Sequence, residues 1–237
     1  MRASTFSGFS REGVEFLTQL KENNNREWFE AKKHSYENAI LHPAMMFVAA
    51  MGEKLRENIP DINADPRRDR SIFRIHRDTR FSRDKSPYKT HLGIFFWEGL
   101  GKKMECPGFY FHLEPPDLGL YAGMHDFPAP LLKQFREAVV DQNRGKQLEA
   151  AIKKVKNRGP YEVGGLYYKR VPKGYDPEHP SASLLLYKGL WAGWSSNIPD
   201  ELYRSDLVDF CASHWLDMLL LHRWLMQLTQ ATGTEEH

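Results

Sequence analysis

The amino-acid sequence predicts an α+β fold, in which an antiparallel sheet of about four to six strands is flanked by N-terminal, middle and long C-terminal helices. Three observations support this class. Apolar residues recur at three- and four-residue spacing near both ends of the chain and in its middle, as in amphipathic helices. Between these regions the period shortens to the two-residue alternation of strands. The candidate strands are joined by connections too short for parallel crossovers, so antiparallel neighbours are expected.

These patterns divide the chain into five parts of one predicted domain, residues 1–237. A chain of this length buries enough apolar surface to fold without disulfides or a structural metal. The parts are a helical segment (1–58), a sheet core that holds a basic motif (70–123), two helices (128–157), a loop-rich segment (158–198) and a C-terminal helix (199–230).

Capping residues mark the predicted helices of the first part. Ser10 and Asn25 are each placed to cap a helix, and Pro43 suits the first turn of a third. The last part carries one continuous apolar stripe, which is typical of a packing face.

Four segments of the sheet core have the pattern of strands: 72–78, 90–97, 109–113 and 118–123. The loop-rich segment contains two further expectations, a strand over 167–171 and a short helix over 182–190. Connections of this length are uncommon in compact domains unless they cover a site or carry structure of their own.

Composition indicates a cytoplasmic protein without a membrane partner. The two cysteines, Cys106 and Cys211, lie too far apart in sequence for a disulfide framework or a zinc site, which favours a reducing compartment. No apolar run approaches the roughly 20 residues of a membrane span, and the first residues lack the apolar segment of a secretory signal. The formal net charge is +2, so bulk electrostatics argue against nucleic-acid binding.

Positive charge is concentrated in residues 67–89, which contain nine basic and three acidic side chains. If the first half of this segment is extended, Arg74, His76, Asp78 and Arg80 share one face. Neighbouring guanidinium groups repel one another unless an anion, a carboxylate or solvent lies between them. Their planar forks suit bidentate recognition of carboxylate or phosphate.

The following turn is expected to complete an anion-binding site. Asp84 can accept backbone hydrogen bonds there and Pro87 keeps Ser86 out of the helical region, which brings Lys85, Tyr88 and Lys89 to the end of the strand. The sequence therefore predicts that a small phosphate- or carboxylate-bearing molecule binds to one set of residues: Arg74, Arg77, Asp78, Arg80, Lys85 and Tyr88. Tyr175 and His179 are candidates for the pocket rim. The alternative is a structural network in which Asp78 and other carboxylates neutralise the arginines.

Two other functions remain open. The first is a metal-dependent, oxygenase-like enzyme. It requires that His76 and Asp78 form a facial two-histidine, one-carboxylate iron site with a second histidine. The candidates for this second histidine are His91, His112, His125 and His179. The second is a nucleic-acid or protein interaction module, in which the basic segment binds phosphates and an aromatic residue stacks on bases. The candidates for this aromatic residue are Phe95, Trp97, Tyr110 and Tyr121.

Established catalytic motifs do not decide among these functions. The sequence lacks a phosphate-binding glycine loop, a nucleophile elbow, a His-Glu-x-x-His motif and a Cys-x-x-Cys pair. We therefore assign no catalytic residue, metal or cofactor from the sequence. Enzyme status and oligomeric state also stay open.

Residues 74–88 resemble the signature of a family of bacterial and fungal conserved hypothetical proteins, domain of unknown function 2461. That signature is Arg-x-x-Arg-Asp-x-Arg-Phe, two free positions, Asp or Asn, and Lys-x-x-Tyr. Its eight fixed positions correspond to Arg74, Arg77, Asp78, Arg80, Phe81, Asp84, Lys85 and Tyr88. The flanking FSGF, NREWF and VPKGYDPEHP stretches are also similar, so the resemblance covers nearly the whole chain. It implies membership but no activity, and it leaves His76 at a free position.

Overall fold

The computed structural model describes residues 5–232 of the chain. The ends of the predicted domain, 1–4 and 233–237, lie outside the described residues. The part of the chain that is described has an α+β fold with a six-stranded antiparallel sheet and a long C-terminal helix, which confirms the predicted class.

The helices fall in the three regions that the sequence predicts. They are α1 (Arg11–Glu22), α2 (Arg26–Tyr36), α3 (His42–Arg56), α4 (Ala129–Val140), α5 (Gln142–Arg158) and α6 (Leu207–Thr232). The predicted caps are confirmed: the side chains of Ser10 and Asn25 accept hydrogen bonds from the backbone N–H groups of Gly13 and Trp28, at 3.1 and 2.9 Å. Pro43 lies in the first turn of α3.

A short π-helix, Glu37–Leu41, joins α2 to α3. The sequence predicts two separate helices here, whereas the chain continues from one into the other through this wider turn. Insertions of this kind within α-helices occur frequently at functional sites.

The sheet strands are β1 (Ile62–Asn63), β2 (Leu92–Glu98), β3 (Gly108–Glu114), β4 (Asp117–Met124), β5 (Glu162–Leu166) and β6 (Tyr187–Asn197). Their spatial order is β1-β2-β3-β4-β6-β5. The predicted strands 90–97, 109–113 and 118–123 correspond closely to β2, β3 and β4.

Two expectations in the loop-rich segment are wrong. The strand expected over 167–171 lies earlier, at β5, and the helix expected over 182–190 is a short 3₁₀ turn, Ala182–Leu186, followed at once by β6. Gly189 explains why β6 can pack closely, because a Cβ atom there would lie 1.9 Å from the carbonyl oxygen of His125.

The strand predicted over 72–78 is also not regular. It forms only isolated bridges, in which Ile72 pairs with Ile94 and His76 pairs with Tyr88. Beyond His76, the carboxylate of Asp78 accepts a hydrogen bond from the backbone N–H of Arg80 at 3.2 Å. Such local side-chain bonds compete with the ladder of a sheet.

The chain separates into two compact units. The first comprises the described part of Met1–Phe96 together with Tyr110–Leu120 and Ser195–Ser213. The second comprises Trp97–Phe109, Tyr121–Trp194 and the described part of His214–His237. In the first unit, Phe47 and Phe111 meet in the core with ring centroids 5.0 Å apart.

Among the described helices, none combines the length and the apolar character that crossing a bilayer requires.

Candidate functional site

Residues 75–89 of the first unit double back on themselves, and we call them the basic hairpin. The backbone N–H of Lys89 donates to the carbonyl of Ile75 at 2.7 Å, and that of Arg77 donates to the carbonyl of Pro87 at 2.9 Å. These bonds hold the two arms of the hairpin together. Its tip contains Phe81, which is 94% exposed.

Asn24 and Phe29 attach the hairpin to the N-terminal helices. Between α1 and α2, the Asn24 side chain accepts from the backbone N–H of Tyr88 at 3.0 Å and donates to its carbonyl at 2.9 Å. The ring of Tyr88 stacks on that of Phe29 with centroids 4.1 Å apart. Tyr88 is buried, and this burial raises the pKa of its phenol. The signature tyrosine therefore has a packing role.

Two of the three arginines of the basic hairpin, Arg77 and Arg80, are each paired with an acid of the same hairpin. Arg80 binds Asp78 through two hydrogen bonds of 3.0 and 2.7 Å, and Arg77 forms an ion pair with Asp84. The hydrogen bonds from Arg80 lower the pKa of Asp78 to about 2. The Lys85 ammonium donates to the carbonyl of Thr79 at 2.9 Å. This arrangement matches the structural ion-pair alternative for these three cations.

Asp84 also closes the turn of the tip, as the sequence predicts. Its carboxylate accepts from the hydroxyl and the backbone N–H of Ser86 at 2.6 and 2.9 Å. These hydrogen bonds, followed by the contact with Arg77, lower the pKa of the carboxyl group.

Arg74 and Lys89 differ from Arg77, Arg80 and Lys85. Within residues 5–230, neither side chain forms an ion pair or a hydrogen bond. The ammonium of Lys89 lies 5.2 Å from the centroid of the Phe73 ring. Its pKa is lowered by partial burial and by the nearby positive charge of Arg74, against a weaker opposing effect of Asp69. Two cations that repel each other thus lie side by side.

Arg74 and Phe73 line a cleft of about 290 Å³ in the first unit. Its walls come from the end of α2, the π-helix and residues 68–76. The lining residues are Phe29, Glu30, Lys33, Tyr36, Glu37, Leu41, Arg68, Asp69, Ile72, Phe73, Arg74, Ile75 and His76. The cleft therefore combines an apolar floor with charged edges.

Most charges of the cleft edge are already balanced. Lys33 lies 3.6 Å from Glu30, and Arg68 lies 3.1 Å from Glu37. Asp69 has φ = +63°, in the left-handed region that residues other than glycine seldom occupy. Such conformations are often retained where the surroundings or a function require them. Unlike Lys33 and Arg68, Arg74 has no bound carboxylate among the described residues.

The phenol of Tyr36 lies at the α2 end of the cleft. Burial, opposed by Arg68 and assisted by Asp69 and Glu37, raises its pKa to about 12. It is therefore a neutral hydrogen-bond donor at physiological pH. Within the described residues, its hydroxyl forms no hydrogen bond.

A histidine cluster lies in the same unit, at the start of β2 and the end of β3. One donor atom from each of His91, His112 and Glu114 can be chosen so that all lie within 4.8 Å of one another. The two imidazole centroids are 4.4 Å apart. Burial and the charges of His112 and Lys89 lower the pKa of His91 to about 4, so its ring is neutral near pH 7.

The other histidines proposed from the sequence are placed differently. His76 packs its ring against Tyr88 at 5.2 Å, while the carboxylate of Asp78 accepts a hydrogen bond from Arg80 at 2.7 Å. His125 belongs to the second unit and lies beside Asp126 at 3.1 Å. His179 accepts a hydrogen bond from the backbone N–H of Ser181 at 3.1 Å.

The candidate rim residues Tyr175 and His179 lie in a run of turns of the second unit. Their backbone N–H groups donate to the carbonyls of Pro172 and Asp176, at 3.3 and 3.2 Å.

The aromatic residues considered for base stacking are engaged in packing. Phe95 is buried, Tyr110 contacts the ring of Phe73 at 5.9 Å, and Tyr121 contacts that of Trp191 at 5.4 Å. Trp97 is half-buried.

Several residues of the cleft and the cluster were missed by sequence reasoning. Tyr36 and Asp69 carry no local signal, because the cleft arises when the π-helix meets a distant loop. Glu114 had a signal, since His112-x-Glu114 follows the strand period and therefore places both side chains on one face.

The fold and its cleft define an α+β protein with a partly enclosed, charged site. The chain belongs to the family described as conserved hypothetical protein, DUF2461, whose match covers residues 12–224 and confirms the resemblance inferred from the signature. Neither curated proteins nor solved structures give a significant match to this sequence.

Proposed function

We propose that the protein binds a small phosphate- or carboxylate-bearing molecule at the cleft, with its anionic group held by Arg74 of the lining and by the neighbouring Lys89. The observation that carries this proposal is the pair of neighbouring cations without a carboxylate partner among the described residues. Placing positive charges together costs free energy, and a bound anion removes that cost.

The rest of the cleft suits a small organic molecule. The neutral Tyr36 phenol offers a hydrogen-bond donor, and the rings of Phe29 and Phe73 offer apolar surface. Small-molecule sites combine apolar walls with a few polar groups in this way. The pairs Lys33–Glu30 and Arg68–Glu37 then shape the opening.

The residues first predicted for this site divide into two groups. Arg74 belongs to the proposed binding surface, whereas Arg77, Asp78, Arg80, Lys85 and Tyr88 stabilise the basic hairpin. This division favours a small ligand over a nucleic acid, because tight backbone binding uses several unpaired cations.

Thermal unfolding with inorganic phosphate tests the proposal. Wild-type protein should become more stable as phosphate replaces chloride at constant ionic strength, since a ligand that binds the folded state stabilises it. Arg74→Ala should weaken phosphate binding at least about tenfold, as expected for losing one charged hydrogen-bonded contact of about 1.5–3 kcal/mol.

Arg80→Ala is the matched control, because it removes an arginine of the same segment that is bound to Asp78. It should keep the phosphate effect of the wild type. The proposal fails if phosphate has no specific effect on the wild type, or if Arg80→Ala abolishes the effect as completely as Arg74→Ala.

A further inference from the structure

The strand geometry brings nitrogen and oxygen donors together at His91, His112 and Glu114. His112 and Glu114 are two residues apart on β3, on the face whose side chains are half-buried, while Phe111 and Leu113 fill the buried face. His91 immediately precedes β2, the neighbouring strand. Two of the three side chains therefore come from β3, and the third comes from the residue just before the neighbouring strand β2.

The spacing of these donors suits a metal ion. His112 Nε2 lies 3.4 Å from Glu114 Oε2. Ligands at 2.0–2.1 Å from a tetrahedral zinc ion are about 3.4 Å from one another. A ring nitrogen of His91 lies within 4.8 Å of one donor atom on each of His112 and Glu114. Among the described residues the imidazole of His91 has no hydrogen-bond partner.

Polar neighbours orient two of the three donors. The Tyr110 hydroxyl lies 3.1 Å from His112 Nδ1, and if it accepts the Nδ1 proton, the lone pair of Nε2 is directed to the cluster. The Thr90 hydroxyl donates to Glu114 Oε1 at 2.7 Å, which leaves Oε2 available. Metal-binding histidines and carboxylates usually have such outer partners.

Gly93 makes the position of Tyr110 possible. A Cβ atom at residue 93 would lie 2.6 Å from the Tyr110 phenol oxygen. The glycine thus allows the phenol to lie over β2 and reach His112.

We propose that His91, His112 and Glu114 bind a divalent first-row transition metal, with zinc or iron as the chemical class. Two imidazoles and one carboxylate favour these ions over magnesium or calcium, which prefer oxygen ligands. Three protein ligands leave at least one coordination position for water or a substrate, and the partial exposure of His112 and Glu114 gives solvent access to it. The metal site shares no residue with the anion-binding proposal.

Calorimetric titration of the full-length protein with Zn²⁺, together with the visible absorption of bound Co²⁺, tests this site. The wild type should bind one ion. His112→Ala and Glu114→Gln should each abolish tight binding, and Tyr110→Phe should weaken it about tenfold or more through the lost outer contact. Glu114→Gln preserves side-chain size, and circular dichroism of each variant confirms that it is folded.

His125→Ala is the control, because His125 is an exposed histidine outside the cluster and should leave Zn²⁺ binding unchanged. Absence of one-to-one binding by the wild type overturns the proposal. It is also overturned by binding that survives both His112→Ala and Glu114→Gln, or by an equal loss in His125→Ala.

Discussion

At the scale of single residues, the cations of residues 67–89 differ in whether an acidic side chain binds them. Arg67 binds Asp65 through hydrogen bonds as short as 2.5 Å, and Arg80 binds Asp78 in a similar way. In both pairs the acid precedes the arginine by two residues in the sequence. Arg74 and Lys89 have no such partner among the described residues. Arg67 and Arg80 therefore have structural roles, whereas Arg74 and Lys89 are the cations that we assign to a ligand.

A buried hydrogen bond between His222 and Glu98 in the second unit gives a prediction on stability. His222 is fully buried and lies 2.7 Å from Glu98, so His222→Leu should leave a nearly buried carboxylate without its main donor. Leaving a buried polar group without its hydrogen-bond partner costs about 1–3 kcal/mol, and more when the group is charged. Chemical denaturation at pH 8 measures the loss. His125→Leu, at an exposed pair, should change stability by less than about 1 kcal/mol.

The same pair should make stability depend on pH. Burial lowers the pKa of His222, and its contact with Glu98 opposes this less strongly. The unfolded state then takes up a proton at higher pH than the folded state, so stability is complete above about pH 6.5 and falls on acidification. The free energy of unfolding should fall less between pH 8 and pH 5 in His222→Leu than in the wild type. An equal decline in both proteins would contradict this account.

At the scale of elements, the basic hairpin depends on one side chain from the helical region. Asn24 satisfies both backbone groups of Tyr88, at 3.0 and 2.9 Å. Asn24→Ala leaves these partly buried groups unpaired, which should cost about 1–3 kcal/mol of stability. Hydrogen exchange should also become faster at Lys89, whose N–H bonds the carbonyl of Ile75.

Asn38→Ala is the comparison for this change, since Asn38 is an exposed helical residue that bonds only to the nearby His34. It should leave exchange at Lys89 as in the wild type. If the two variants behave alike, Asn24 does not anchor the hairpin.

Elements with local signals were predictable from the sequence, and those that depend on distant contacts were not. The caps Ser10 and Asn25 fixed two helix starts, because a cap acts within three residues. The long strand β6 was missed, since its glycines and aromatic residues resemble a loop until β4 and β5 are placed on either side of it. Residues 72–78 alternate as a strand does, but the local hydrogen bond at Asp78 competes with a regular strand.

The candidate site was only partly predictable for the same reason. Arg74 follows from the basic pattern, and the turn at Asp84 follows from its neighbours. Lys89 was counted among the basic residues but was not assigned to the site, because its partial burial beside Phe73 arises from tertiary packing. The contributions of Tyr36 and Asp69 arise where two distant segments meet around the cleft.

At the scale of the whole molecule, the distribution of charge and the family of the chain are established. The chain carries a net charge of only +2, and much of its concentrated basic segment is neutralised locally. Membership of DUF2461 spans most of the chain and thus both units. The central claim is narrower: two neighbouring cations, Arg74 and Lys89, form a binding site for an anion.

The pKa of the Lys89 ammonium, measured by NMR of ¹³C-labelled lysine and assigned with Lys89→Arg, tests that claim most directly. Without phosphate it should lie below the ordinary lysine value, and it should rise when inorganic phosphate binds, because a nearby anion stabilises the ammonium. Arg74→Ala should raise it in the absence of phosphate and remove most of the phosphate response. A Lys89 pKa that responds neither to phosphate nor to Arg74→Ala would contradict the account.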